Sequence, residues 1–221
     1  VDRLKIPSGE VTNVPYLKHL GGFGLPIIMS TGMCDLEEVE TAVRTLEQAG
    51  CWEITLLHCL SEYPADPAEV NLQAMVSMAT AFGYPVGYSD HTISLEAPAI
   101  AVALGAKIIE KHVTLNRKMI GPDHKASLNF KEFKKMINLI RVTEVMLGLS
   151  NKKSTKSENK NIFFSRRSIF ARTKIMKGEI FTHNNLICKR PLKGVPASKF
   201  LVYLGKKSKY NYSINDIIKT Q

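Results

Sequence analysis

The sequence predicts an α/β protein in which a parallel sheet built from βα units is followed by a small, separate, β-rich domain. Three observations carry this. Up to about residue 148, short apolar runs rich in branched residues alternate with longer stretches of helical period. Polar residues follow the C-terminal end of each apolar run, where parallel α/β folds collect their active sites. Beyond residue 148 a Lys/Ser/Asn-rich stretch leads into short β-like pieces between Gly and Pro turns.

The strand candidates are Leu4 to Ser8, Pro26 to Ser30, Ile54 to Cys59, Pro85 to Ser89 and Lys107 to Thr114. Their polar ends are Ser8-Gly9-Glu10, Ser30-Thr31-Gly32, His58-Cys59, Ser89-Asp90-His91 and His112. Asp35 with Glu38 has the spacing of a capping box and predicts a helix ending near Gly50; Asn129 with Glu132 predicts another over residues 130–147. Asp66 before Pro67 opens a further helix, and Ser94 opens an Ala-rich one that stops at Gly105. Residues 149–162 read as a solvated linker, and residues 163–221 as the second domain, with β pieces at Ser168 to Arg172, Gly178 to Phe181 and Leu186 to Pro191.

Five strands do not close an eight-stranded barrel, which takes about 250 residues. The chain opens on Val1, and the expectation is a barrel lacking roughly its first three βα units; spacing alone also allows an open five-stranded sheet.

Composition narrows the function classes. With 44% hydrophobic and 23% charged residues the chain can bury a core and is neither disordered nor fibrous. No apolar run approaches a membrane span and no signal-peptide pattern opens the chain, so no membrane partner and a cytoplasmic location are expected. Four cysteines without paired spacing fit a reducing compartment. The net charge of +10 is a C-terminal property: residues 1–148 carry 13 Lys+Arg against 17 Asp+Glu, and residues 149–221 carry 17 against 3. The basic stretch has no base-stacking aromatic series, so no nucleic-acid partner is expected.

His91 and His112 end consecutive strands, which places two imidazoles on one rim; two histidines with oxygen ligands suit a divalent transition metal with open positions. Lys5, Ser8, Ser30 and Ser89 offer one cation and three hydroxyls at strand ends, a cradle for phosphate or carboxylate. Glu10 is a candidate acid or base, and Asp123, in Gly121-Pro122-Asp123-His124, a candidate oxygen donor to metal or substrate. Taken singly, each has a structural alternative: a hydrogen-bonded histidine, a turn serine or aspartate, a solvated lysine, a helix N-terminal carboxylate. No Gly-x-Ser-x-Gly elbow, Walker loop or Gly-x-Gly-x-x-Gly occurs, which removes support for serine hydrolases, P-loop enzymes and dinucleotide binding.

Six motifs in order resemble the sialic acid synthase family, whose members include N-acetylneuraminate and legionaminate synthases. They are Lys5-Ile-Pro-Ser-Gly-Glu10, Pro26-Ile-Ile-Met-Ser-Thr-Gly-Met33, Leu57-His-Cys-Leu-Ser-Glu-Tyr-Pro64, Gly87-Tyr-Ser-Asp-His-Thr92, Ile108-Ile-Glu-Lys-His-Val-Thr114 and Gly121-Pro-Asp-His124. Residues 178–205, with Cys188-Lys-Arg-Pro191, resemble the family's antifreeze-like (SAF, β-clip) domain. The resemblance implies a (β/α)8 TIM barrel with a SAF cap, in a domain-swapped homodimer. It implies a transferase that condenses phosphoenolpyruvate with N-acetylmannosamine or a diacetamido 6-deoxy hexose, with water, to a nine-carbon 2-keto acid and phosphate. It implies Mn2+, or Mg2+ or Co2+, held by His91 and His112. Lys5, Ser8, Ser30 and Ser89 match phosphoenolpyruvate-binding positions. Tyr63, Glu10 and Asp123 match positions near the sugar or a metal-bound water, and Arg190 matches the cap arginine that reaches the partner's site. Ser61 stands where some members carry asparagine near the sugar. Acidic, lysine and glutamine side chains contributed by the family's first strands have no counterpart here. Glu62 and residues 5–13 resemble the legionaminate branch.

Two other classes remain open on sequence: a Schiff-base aldolase with Lys5 or Lys111 as nucleophile, and a truncated remnant whose second domain binds carbohydrate or an acidic partner without turnover.

Overall fold

Period-two alternation organises the first unit, residues 1–148, of a computed structural model that describes residues 1–220. Its strands are β1 (Leu4–Ile6), β2 (Ile27–Ser30), β3 (Ile54–Cys59), β4 (Val86–Asp90) and β5 (Ile109–Lys111), all parallel and hydrogen-bonded in the order β1-β2-β3-β4-β5. Chain order without reversal is the order of a barrel wall, whereas a doubly wound sheet reverses at a switch point. Right-handed crossovers that always step the same way place every helix on one face of such a sheet. The opposite face is left for side chains of another kind.

The connecting helices are α1 (Val14–Gly21), α2 (Leu36–Gln48), α3 (Gln73–Phe82) and α4 (Glu96–Ala103), with α5 (Phe130–Leu147) closing the unit. On the helix side, Ile6, Ile27, Met29, Ile54 and Leu56 pack with Leu17, Val39, Val43 and Leu46 of α1 and α2. Val86 and Tyr88 pack with Met75, Met78, Ala97 and Ala101 of α3 and α4. Each of these side chains is essentially removed from water, worth about 1.5–3 kcal/mol for the large ones. The alternate residues Lys5, Ser30, Cys59, Ser89 and Glu110 point to the other face, where they line a common cleft.

The Asp35/Glu38 and Asn129/Glu132 capping boxes are both formed and start α2 and α5. The Ser94 hydroxyl accepts from the amides of Glu96 and Ala97 at 3.0 and 3.2 Å, and α4 ends before Gly105, whose φ of +105° stops it. Asp66 opens only a turn: its carboxylate accepts from the Ala68 amide, Asn71 then adopts φ +42°, and α3 begins at Gln73. The single strand expected from Lys107 to Thr114 breaks at His112 into β5 and β6 (Val113–Thr114). β6 pairs in parallel with β7 (Leu128–Asn129), and the His112 carbonyl accepts from the Leu128 amide at 3.0 Å. That break turns the backbone just where the imidazole leaves it. α1 had no sequence expectation; Asn13 caps it and Pro15 sits in its first turn.

The second unit begins at Leu149. The stretch expected as linker carries the first part of a helix, α6 (Lys156–Ser165), started by a Thr155/Glu158 capping box. β8 (Ser168–Ala171) and β9 (Leu186–Lys189) pair antiparallel over a core of Ile169, Ile175, Phe181, Leu186, Val195, Tyr203, Tyr212 and Ile218, with α7 (Phe200–Tyr203) alongside. The β piece expected at Gly178 to Phe181 is reduced to a single bridge, Ile180 to Lys207, because Gly178 turns the chain with φ +88°. Among the described residues no helix is long and apolar enough to cross a membrane.

Candidate active site

The C-terminal ends of β1 to β5 surround a cleft of about 490 Å3 lined by Lys5, Ser8, Ser30, Ser61, Tyr63, Ser89, His91 and His112, together with Cys59 and Glu110. Strand register explains the convergence. Cys59 pairs with Ser89 and Ser89 with Glu110, which sets those three side chains in one row; Ser30, the partner of Leu57, and Lys5, the partner of Ile28, lie in rows nearer the N-terminal ends, and period-two alternation puts all of them on the same face. Lys5 donates to Ser30 Oγ at 2.9 Å, and its ammonium lies 3.5 Å from Glu110 Oε2. Ser89 Oγ donates to Glu110 Oε1 at 2.7 Å. The Gly32 amide donates to Ser8 Oγ at 2.9 Å, and the same hydroxyl lies 3.6 Å from Cys59 Sγ. A Cβ at position 32 would collide with Ser61 Oγ and come within 3.0 Å of Cys59 Sγ and Ser8 Oγ, so any larger residue there would displace side chains of the cleft.

The imidazoles of His91 and His112 lie with ring centroids 5.3 Å apart, and the Tyr63 ring packs on both, at 4.0 and 5.7 Å. Two imidazoles bound to one ion at the usual metal–nitrogen distance of about 2.1 Å hold their centroids roughly 5 Å apart. The pair therefore fits a divalent metal. His91 Nδ1 lies 2.7 Å from the Leu60 carbonyl, a contact that needs the proton on Nδ1 and leaves the Nε2 lone pair for a ligand bond. Among the described residues no group of three or more His, Cys, Asp or Glu is arranged to hold a metal ion, so oxygens of water or substrate would complete the shell.

Electrostatics follow from burial and contacts. Burial lowers the His91 pKa, but the contacts to Cys59 and the Leu60 carbonyl outweigh it, and the net shift is upward. Burial raises Cys59, but its contacts with His91, Ser8 and Ser61 outweigh that and leave the thiol lowered. Tyr63 is raised, first by burial and then by the negative charge of Cys59, Asp123 and Glu110, so its phenol stays protonated as a donor.

Not every candidate joins the cleft. Glu10 lies outside its wall, accepting from Asn13 Nδ2 at 2.6 Å. Asp123 is exposed in the loop after β6 with φ +66°, and reaches the cleft only through its field on Tyr63. Arg190 belongs to the second unit, exposed beside β9. Lys111 is the clearest correction. As a Schiff-base nucleophile it would have to meet a carbonyl in the cleft, yet its side chain is 1% exposed, on the helix face, and paired with Asp90 at 2.6 Å. Alternation along β5 places Glu110 and His112 toward the cleft and Lys111 away from it. The same rule, applied to Ile109-Glu110-Lys111-His112, was the signal that could have identified Glu110.

Residues 1–152 match the model of the NeuB family and residues 166–221 that of the SAF domain. The chain is 49% identical over 217 residues to an N,N'-diacetyllegionaminic acid synthase of Campylobacter jejuni, covering 97% of this chain and 65% of that protein. It is 44% identical to the protein of the same description in Legionella pneumophila, over 96% of this chain and 61% of that one. The chain thus spans just under two thirds of the length of these relatives. Among solved structures it resembles the Bacillus subtilis spore coat polysaccharide biosynthesis protein SpsE, with a TM-score of 0.63 and 33% identity over 99% of this chain and 68% of that one. It also resembles an N-acetylneuraminic acid synthetase of Leptospira borgpetersenii, with a TM-score of 0.68 and 36% identity over 73% of this chain and 56% of that one.

Proposed function

Since the chain belongs to the NeuB family, we propose that its cleft is the site of a synthase that condenses phosphoenolpyruvate with an N-acylated amino sugar and water, releasing phosphate. The observation that carries this is the side-by-side placement of a two-imidazole pair, His91 and His112, and a cationic hydroxyl-lined cradle of Lys5, Ser8, Ser30 and Ser89. A small enol ester bearing both a phosphate and a carboxylate needs the second, and an aldehyde acceptor needs the first.

When bound, a divalent ion such as Mn2+ supplies Lewis-acid polarisation of the acceptor's aldehyde oxygen. The chain's own residues do the rest. Lys5 and the hydroxyls hold the phosphate and balance charge as it departs, once the substrate has displaced the Glu110 carboxylate from Lys5 and Ser89. Tyr63, packed on both imidazoles, fixes their orientation and presents a phenol to the acceptor. Glu10 and Asp123, outside the cleft wall, would act on the acceptor or on water from its rim. The two relatives named as diacetyllegionaminic acid synthases favour a diacetamido 6-deoxy hexose over N-acetylmannosamine, with Ser61 contacting its hydroxyls. We further propose that the five-stranded arc closes into a barrel with additional βα units, that the enzyme is a swapped homodimer completed by the partner's Arg190, and that it works in the cytoplasm, where its four unpaired cysteines stay reduced.

The test is phosphate release from phosphoenolpyruvate with each candidate sugar, with and without chelator, using this chain together with any coding sequence that precedes it. Chelator-sensitive, sugar-dependent release is expected. Sugar binding without phosphate release would support the non-catalytic alternative, and trapping by borohydride would favour an imine through Lys5.

A further inference from the structure

Behind the two histidines, on the helix face of the sheet, lies a charged pair that the proposed chemistry does not use. Asp90 and Lys111 are register partners at the ends of β4 and β5, and each immediately precedes one histidine, His91 or His112. Their side chains are 0% and 1% exposed, with Lys111 Nζ 2.6 Å from Asp90 Oδ2. Lys111 also donates to the Thr92 carbonyl. Asp90 Oδ1 accepts from the Tyr88 hydroxyl at 3.1 Å and the Thr92 amide at 2.9 Å. The carboxylate therefore holds the backbone just after His91 through the Thr92 amide and the strand before it through the Tyr88 hydroxyl, and the ammonium ties that segment to the residue before His112.

Burying such a pair is a poor route to stability, since well-packed apolar residues of similar volume usually serve as well or better. What an ion pair with fixed hydrogen bonds supplies is a unique geometry. We propose that Asp90 and Lys111 are positioning residues that set the separation and aim of the His91 and His112 imidazoles, and so the affinity of the site for a divalent cation. This rests on the two-histidine metal reading above, but the separation of the rings can be read without any metal.

The test is the double variant Asp90→Asn/Lys111→Met, which leaves no unpaired charge buried and keeps an acceptor for Tyr88 and Thr92. Mn2+ binding by calorimetry is expected to weaken by about 10-fold, the low end of the cost of losing a group that contacts a metal ligand, because this pair acts through the backbone, while circular dichroism shows a folded chain. A folded variant that binds Mn2+ within about twofold of the unaltered chain overturns the proposal. If the unaltered chain binds no Mn2+, the metal reading fails instead, and metal-free crystal structures decide this one. Rings that keep their 5.3 Å separation in the variant overturn it; a shift beyond about 1 Å supports it. Should the double variant not fold, Tyr88→Phe removes one hydrogen bond from Asp90 and is expected to weaken Mn2+ binding about threefold, with unchanged affinity and ring separation as the overturning result.

Discussion

Replacing Glu110 with Gln removes the carboxylate that lies between Lys5 and Ser89, in the space a substrate anion would enter. The geometry fixes the size of the effect. Glu110 Oε2 is 3.5 Å from Lys5 Nζ, with side chains 42% and 36% exposed, so the attraction is strongly screened. At that distance in water it amounts to roughly 1 kcal/mol, consistent with the 0.2–1 kcal/mol typical of exposed pairs. An incoming anion must displace this contact and meets the repulsion of the same carboxylate. The glutamine side chain keeps an acceptor for Ser89 Oγ, which now donates at 2.7 Å, so the local fold is not stripped of a bond. Glu110→Gln should therefore tighten binding of inorganic phosphate or phosphoenolpyruvate by up to about fivefold, the equivalent of ~1 kcal/mol. Calorimetric titration of both proteins at low ionic strength reads it, and the gain should shrink with added salt. Weaker binding in the variant would refute the reasoning, since it would make Glu110 a contributor to the anion site and not its occupant.

Gly87→Ala should destabilise the first unit by about 2–3 kcal/mol in denaturant unfolding, because the new Cβ would press on the Ile108 carbonyl oxygen and come within 2.5 Å of Leu57 Cδ2; a change under about 0.5 kcal/mol would show that β4 and β5 separate freely. The Tyr84 hydroxyl donates to Glu47 Oε1 at 2.7 Å, and burial together with this carboxylate holds its pKa up to about 12. With the folded value above the unfolded one of about 10, the contribution is complete below that pH and is lost as pH rises toward 12. Tyr84→Phe should flatten stability over that window, and an identical slope in both proteins would contradict the assignment.

How much of this was legible in the sequence depended on whether the governing period was local. Capping boxes at Asp35 and Asn129 are three-residue signals and appear as read. The strand cores were equally plain, since branched apolar residues under helices leave few alternatives. Asp66 failed as a helix start because an aspartate before proline caps a single turn as readily as a helix, and Asn71 then takes a left-handed conformation. The α6 helix was hidden by composition: its Lys, Ser and Asn residues resemble a linker, and only the Thr155/Glu158 spacing gives it away. In the cleft, the polar residues that end strands were found because they follow apolar runs. Glu110 sits inside a strand, where no end of an apolar run marks it, and Lys111, one of the two lysines open on sequence to a Schiff-base role, is turned away from the cleft by alternation along β5. The break of the last strand at His112 depends on pairing with Leu128, a contact that no short-range pattern encodes.

The most direct measurement is anomalous diffraction at the manganese edge from crystals of the chain grown with Mn2+. One peak within bonding distance of both His91 Nε2 and a ring nitrogen of His112, on the Lys5 side of the sheet, is the predicted result, and it should vanish in His91→Ala. A peak elsewhere, or one that survives that substitution, would contradict the account.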